Sequence, residues 1–232
     1  MRVIVIRHHA EDSPGYIGQA FQERGADVST HLFPRAGSLP QFGGADHVVV
    51  LGASASVNDV ASLAWIADEL AWLRDVDSAG VPVFGICFGA QALCVALGGK
   101  VEAAPAKEIG WKLVRTADPE LIPAGPWLEF HADRCLPPQE ARILAINEVG
   151  VQAFSIGRHL AVQFHPEVDG AELTLWLEAG GRSEVAEAGH DCEAFLAQTI
   201  AEEPAARVRA DLLVATALRL AEVVPSARRP SA

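Results

Sequence analysis

The sequence predicts an α/β fold: an open, mostly parallel sheet with helices on both faces, extended by antiparallel strands. Three observations carry this. Short apolar runs alternate with amphipathic helical patterns through the first hundred residues, the mark of parallel strands joined by helical crossovers. Over residues 101–164 the pattern changes to brief strand-like runs divided by Pro- or Gly-containing turns, as antiparallel neighbours require. After His165 the chain reads as helix again, with leucines and alanines on packed faces.

Taken in order, residues 2–7 read as a buried strand, and Ser13-Pro14 offers an N-cap and first-turn proline for a helix reaching about Arg24. Residues 28–33 and 47–51 are further strands. Leu63, Ile66, Leu70 and Leu73 recur at helical spacing within 57–76, and 82–86 follows as a short apolar strand. The antiparallel runs are "IGWKLVRT", "WLEFHA", "ARILAIN", "VQAFSIG" and "HLAVQF". The later helices are "AELTLWLEAGG", "CEAFLAQTIAEE" and "AARVRADLLVATALRLAEVV". Residues 1–224 are expected to form one domain. The tail, 225–232, has no apolar content to bury and is expected to fray.

Composition narrows the function. Of 232 residues, half are apolar and 21% charged, which suits a globular chain with a large core. A formal charge of -12 repels nucleic acid and anionic membrane, so no partner of either kind is expected. The N-terminal apolar run is too short for a signal peptide, and no stretch approaches a membrane span, so a cytoplasmic location is expected. Cys87, Cys94, Cys135 and Cys192 lack CxxC spacing; neither a metal site nor a disulfide framework is read from them. "RHHAED" reads as a solvated loop after the first strand, and Trp65 and Trp72, seven apart on one helix, as core or interface anchors.

Cys87 asks for more. It ends an apolar strand and begins a helical pattern in "GICFGAQALCVALGG", with Gly85 two residues before it and Gly89 two after. This is the spacing of a nucleophile elbow, where glycines relieve the crowding of strand and helix around a strained residue. At a helix start the macrodipole and free N–H groups favour an anion, and the N–H of Phe88 faces the place where an oxyanion forms. A cysteine nucleophile needs a base, and the base an orienting carboxylate. "AVQFHPE" supplies both: His165 follows a strand, Pro166 holds it out of helical geometry, and Glu167 lies two residues on.

These two motifs, in this order, resemble the class I, triad-type glutamine amidotransferases, whose nucleophile motif is G-x-C-x-G-x-Q and whose second motif is His-Pro-Glu. The resemblance covers about residues 2–177. "EIGW" and "FHAD" are most similar to the amidotransferase domain of GMP synthase and its free-standing relatives. It implies Cys87, His165 and Glu167 as a triad that attacks the side-chain amide of glutamine through a γ-glutamyl thioester. It implies a backbone N–H from Gly52-Ala53 as the second oxyanion donor, Gln91 as a substrate contact, and backbone near 131–133 around the amino-acid end. The family's Gly-Gly-Pro-like segment reads "LGAS" here, with Gly52 retained, and Ala90 stands where many members have His. No phosphate loop is readable, and no cofactor is expected. Three readings share these residues: a glutaminase delivering ammonia to a separate synthase, a free-standing hydrolase of γ-glutamyl amides or peptides, and a silent regulatory or binding member. The intact triad argues against the third; oligomeric state is not readable.

Overall fold

The computed structural model describes residues 1–222, so the tail expected at 225–232 lies outside the described residues. Ten strands form one mixed sheet: β1 (Arg2–Arg7), β2 (Asp27–Leu32), β3 (His47–Val50), β4 (Val83–Ile86), β5 (Lys100–Lys112), β6 (Arg115–Thr116), β7 (Trp127–Leu136), β8 (Arg142–Ile146), β9 (Val151–Ile156) and β10 (His159–Val162). The order is β2-β1-β3-β4-β10-β9-β7-β5, with β8 against β9 and β6 against β8. Neighbours from β2 to β10 run parallel, and from β10 onward the pairing is antiparallel. β3, β4 and β10 are buried along their whole length, as parallel strands covered on both faces must be.

The helices are α1 (Gly15–Glu23), α2 (Ala64–Ser78), α3 (Phe88–Ala96), α4 (Gly170–Trp176), α5 (Arg182–Glu187) and α6 (Cys192–Ala221). One face of the sheet carries α1 and α6, with Ile17, Phe21, Ala210 and Leu213 packed on Val3, Val5 and Val162. The other carries α2 and α3, with Ile66, Leu73 and Leu93 on Ile4, Val48 and Val50. A third cluster, Leu128, Leu173, Leu177, Val185 and Phe195, packs the α4–α5 region on the antiparallel strands. Among the described residues no helix is long and apolar enough to cross a membrane.

Several elements differ from the sequence expectation. The helix expected over 57–76 is divided. A 3-10 turn, Val57–Ala61, is closed by a capping box between Ser56 and Asp59, and α2 starts only at Ala64. Pro14 is the N-cap of α1, while Ser13 Oγ accepts from the Gly15 N–H at 3.1 Å, one residue off the expected cap. The two helices expected on either side of Pro204 are one, α6. Proline gives up its own N–H bond, but Phe195 and Thr199 before it and Ala206 and Ala210 after it are all buried. α5 is absent from the sequence reading, and the helix read over "AELTLWLEAGG" ends in a π-helical turn, Leu177–Gly181, broken by Gly180 at φ 125°. β5 begins nine residues early, at Lys100, because a bulge between Ala103 and Glu108 lets it pass Pro105 while paired to β7.

Candidate active site

β4 and β10 lie side by side with Val162 opposite Ile86, so the residues that follow these strands emerge together at their carboxyl ends. Cys87 follows β4 and His165 follows β10. Cys87 has φ 50° and ψ -110°, the one non-glycine residue with positive φ among the described residues. This is the strained turn that the two glycines predict, and both are sterically required. A Cβ on Gly85 would stand 2.6 Å from the Gly89 carbonyl oxygen, and one on Gly89 would stand 2.1 Å from that of Val50. The thiol is thereby held at the start of α3, with Phe88 as the first helical residue.

His165 Nδ1 donates to Glu167 Oε1 at 2.8 Å, which leaves Nε2 for the thiol. Burial disfavours the imidazolium, but the charges of Cys87 and Glu167 and their hydrogen bonds outweigh it and hold the His165 pKa well above its ordinary value. Trp176 packs edge-on against the imidazole, centroids 4.9 Å apart. Pro166 separates the two functional groups, and the His165 N–H is tied to the Leu128 carbonyl at 2.8 Å. The fold therefore brings Cys87, His165 and Glu167 together as the sequence motifs imply.

These residues open into a cavity of about 580 Å³ also lined by Gly52, Ala53, Gln91 and residues 130–133. Gly52 is required where it stands. Gln91 reaches the cavity, but its Nε2 donates to Gln163 Oε1 at 3.3 Å, so its amide is already tied into the wall. The outer rim is acidic, with Glu11, Asp12, Asp59, Glu172 and Glu184, the last bonded to Lys107. Burial, and then the neighbouring charges of Glu167, Asp12 and Asp169, raise Glu172 to a pKa of about 7 although it accepts the Ser13 N–H.

Two buried clusters flank the cavity and were not legible as such. "RHHAED" is not simply a solvated loop: His9 lies on the cavity, but His8 is 7% exposed, its Nδ1 on the Gly52 carbonyl at 2.7 Å and its Nε2 on Glu69 Oε2 at 3.0 Å. Trp65 is part of its cover, packing on both His8 and Phe88, while Trp72 is buried with its N–H on the Pro40 carbonyl. On the opposite wall His131 Nδ1 donates to the Asp133 carbonyl at 2.8 Å, and Nε2 lies 3.3 Å from Glu108 and 3.1 Å from Glu129. Burial works against the charge of His131, but hydrogen bonds and charges of Glu108 and Glu129 push its pKa up to about 10. Among the described residues these three form the group close enough to share a cation, and the imidazolium proton takes that place. Asn147 and Gln152 donate to Glu108 and complete the wall.

Residues 16–177 match the family model for class-I glutamine amidotransferases. The chain belongs to the class-I glutamine amidotransferase family. Among curated relatives, a glutamine-hydrolysing GMP synthase from Allorhizobium ampelinum is 38% identical over 111 residues, covering 40% of this chain and 21% of the relative. The corresponding enzyme of Nitrobacter hamburgensis is 34% identical over 142 residues, covering 54% and 25%. The chain thus spans about a fifth to a quarter of the length of these relatives. Two solved structures share the amidotransferase fold nearly end to end. One is a glutamine amidotransferase from Thermotoga maritima, with a TM-score of 0.85 and 24% identity, covering 96% of this chain and 99% of that one. The other, from Methylobacillus flagellatus, has a TM-score of 0.84 and 22% identity, covering 99% of each.

Proposed function

We propose that this class-I amidotransferase hydrolyses the side-chain amide of glutamine through a thioester on Cys87 and releases ammonia to a separate synthase. The observation that carries the reading is the strained cysteine at the foot of α3, sharing one cavity with a buried imidazole that Glu167 holds from behind. The thiolate attacks the amide carbon, and the resulting oxyanion is stabilised by the N–H groups of Phe88 and Ala53. His165, protonated on Nε2, gives that proton to the departing nitrogen as the C–N bond breaks, leaving a γ-glutamyl thioester and ammonia. His165 then takes a proton from water, hydroxide adds to the thioester, and glutamate leaves as the thiolate returns. Glu167 keeps the imidazole in the tautomer both steps need. Gln91 and the backbone of 131–133 form the wall against which the amino-acid end of glutamine rests.

The reading takes its acceptor from relatives named as GMP synthases and its setting, the cytoplasm, from the sequence. It is tested by incubating the purified protein with glutamine and a panel of γ-glutamyl amides and peptides, following ammonia, amine and glutamate. Equimolar glutamate and ammonia from glutamine, lost in Cys87→Ser, is the expected result. Turnover of a γ-glutamyl peptide orders of magnitude faster than glutamine, with no partner protein present, overturns the amidotransferase reading in favour of a free-standing hydrolase.

A further inference from the structure

We infer that His8, backed by Glu69, is a positioning residue that aims the Ala53 N–H at the oxyanion. This rests on the amide-hydrolysis reading above and adds to it a residue pair outside the Cys87–His165–Glu167 motifs.

The argument starts from the Gly52–Ala53 peptide. It is trans, so the Gly52 carbonyl and the Ala53 N–H point in opposite directions. The carbonyl is held at 2.7 Å by His8 Nδ1, and a carbonyl can only accept, so Nδ1 carries the proton. Fixing that oxygen on the His8 side turns the N–H to the other side, where Ala53 lines the cavity shared with Cys87. The Ala53 N–H has no hydrogen-bond partner among the described residues. Without His8 the plane is free to rotate, because the segment "LGAS" lacks the prolines that would stiffen it.

His8 is itself immobilised. Its Nε2 meets Glu69 Oε2 at 3.0 Å, and the His8 and Glu69 side chains are 2% and 0% exposed. Burial lowers the tendency of His8 to ionise, yet Glu69 and the Gly52 carbonyl more than restore it, raising its pKa. Its ring packs edge-on to Phe88, centroids 5.0 Å apart, and Phe88 supplies the other oxyanion N–H. One imidazole therefore touches Phe88 and the carbonyl of the peptide that carries the Ala53 N–H. Glu69 projects from the apolar face of α2, where Ile66, Leu70 and Leu73 make the core, and its Oε1 has no hydrogen-bond partner. A buried ion pair of this kind contributes little stability over an apolar pair of equal volume. Its use is to hold the imidazole, and through it the peptide.

The test compares wild type with His8→Gln and with His8→Ala/Glu69→Gln, the double change removing the carboxylate that His8→Ala alone would strand in the core. On glutamine and on a chromogenic γ-glutamyl anilide, the double variant is expected to lose about 10- to 100-fold in kcat, approaching the cost of one oxyanion donor, with KM changed less than about threefold. His8→Gln, whose amide still donates to the Gly52 carbonyl, recovers most of that loss. Iodoacetamide labelling of Cys87, which needs the nucleophile but no oxyanion hole, stays within about twofold of wild type. Unchanged kcat, an effect on KM alone, or an equal fall in turnover and labelling overturns the assignment. Crystal structures of wild type and the double variant give a readout apart from turnover: the Gly52–Ala53 plane is expected to rotate, and a retained orientation also overturns it. If the wild type cleaves neither substrate, the hydrolytic reading has failed, and the peptide orientation in the crystals decides the role of His8.

Discussion

A β-carbon placed on Gly52 would stand 2.9 Å from Cε1 of His165. The Gly52 segment and the His165 imidazole are therefore packed together, and no side chain fits between them. Gly52→Ala is expected to displace the His165 ring and cut kcat about 10²-fold, since small misplacements at reacting groups carry costs of that order. Thermal stability should change far less, as the atom met at 2.9 Å belongs to a side chain and not to backbone. A Gly52→Ala enzyme with wild-type kcat would show that this contact has no bearing on turnover.

Gly89→Ala is a different kind of change. Its β-carbon meets the Val50 carbonyl oxygen at 2.1 Å, backbone against backbone inside the sheet–helix interface. The cost is expected at or above the upper end of the roughly 1–3 kcal/mol typical of overpacking. Denaturant unfolding measures it; a loss below about 1 kcal/mol would mean that α3 slides away from β3 more readily than its packing implies.

His165→Ala is expected to lower kcat by about 10⁴-fold, the upper end of what a general acid–base contributes, and Glu167→Gln by less, because the ring keeps a partner on Nδ1. Steady-state kinetics on whichever γ-glutamyl substrate the wild type cleaves decides this. The reverse order of severity would assign proton transfer to another group.

Glu172 gives a pH signature in stability. Its folded pKa, raised from 4.5 to about 7, means the folded chain binds a proton more tightly there than the unfolded chain. That contribution is fully present below pH 4.5 and is lost as pH rises toward about 7. Glu172→Gln, which keeps an acceptor for the Ser13 N–H, escapes the loss. The difference in Tm between variant and wild type should grow from pH 4.5 to about 7 and then level off. A difference that stays constant across this range contradicts the assignment.

Iodoacetamide at neutral pH is expected to label Cys87 before the other three thiols. Cys87 opens into the cavity, whereas Cys94 and Cys135 are buried against each other, and the pKa of Cys135 is raised well above that of an ordinary thiol by a thiol–thiol hydrogen bond with Cys94 and by burial. Cys192 is the most exposed of the four and is the control. Peptide mapping after partial labelling reads the order, and faster reaction at Cys192 or Cys135 would count against the elbow as an activating environment.

What the sequence made legible were features that steric rules write into local spacing. Gly85 and Gly89 around Cys87, and Pro166 between His165 and Glu167, are local constraints visible in a few letters. Their meeting follows from β4 and β10 being parallel neighbours, which the sequence does not show: "HLAVQF" reads as one of the antiparallel runs, yet β10 is the strand where the parallel and antiparallel parts of the sheet join. His8 and Glu69 were not legible as a pair because they lie 61 residues apart, and Glu108 lies on a different strand from Glu129 and His131, which are two apart on β7; nothing local distinguishes a buried carboxylate from a solvated one. Glu69 in particular reads as the polar face of α2 until the fold shows the face turned inward. Pro204 misled in the other direction: a local helix breaker was overruled by the tertiary contacts on both sides of it.

The pairing of β4 with β10 carries one more consequence. Val162 of β10 pairs with Ile86 of β4, so Cys87, one residue past β4, and His165, three residues past β10, leave the sheet from adjacent hydrogen-bonded strands. The acidic rim is built from other pieces of chain: the turn after β1, the capped turn before α2, and helices α4 and α5. The strand-end residues and the acidic rim thus come from separate stretches of chain, so the rim can be rewritten residue by residue while Cys87 and His165 keep their places.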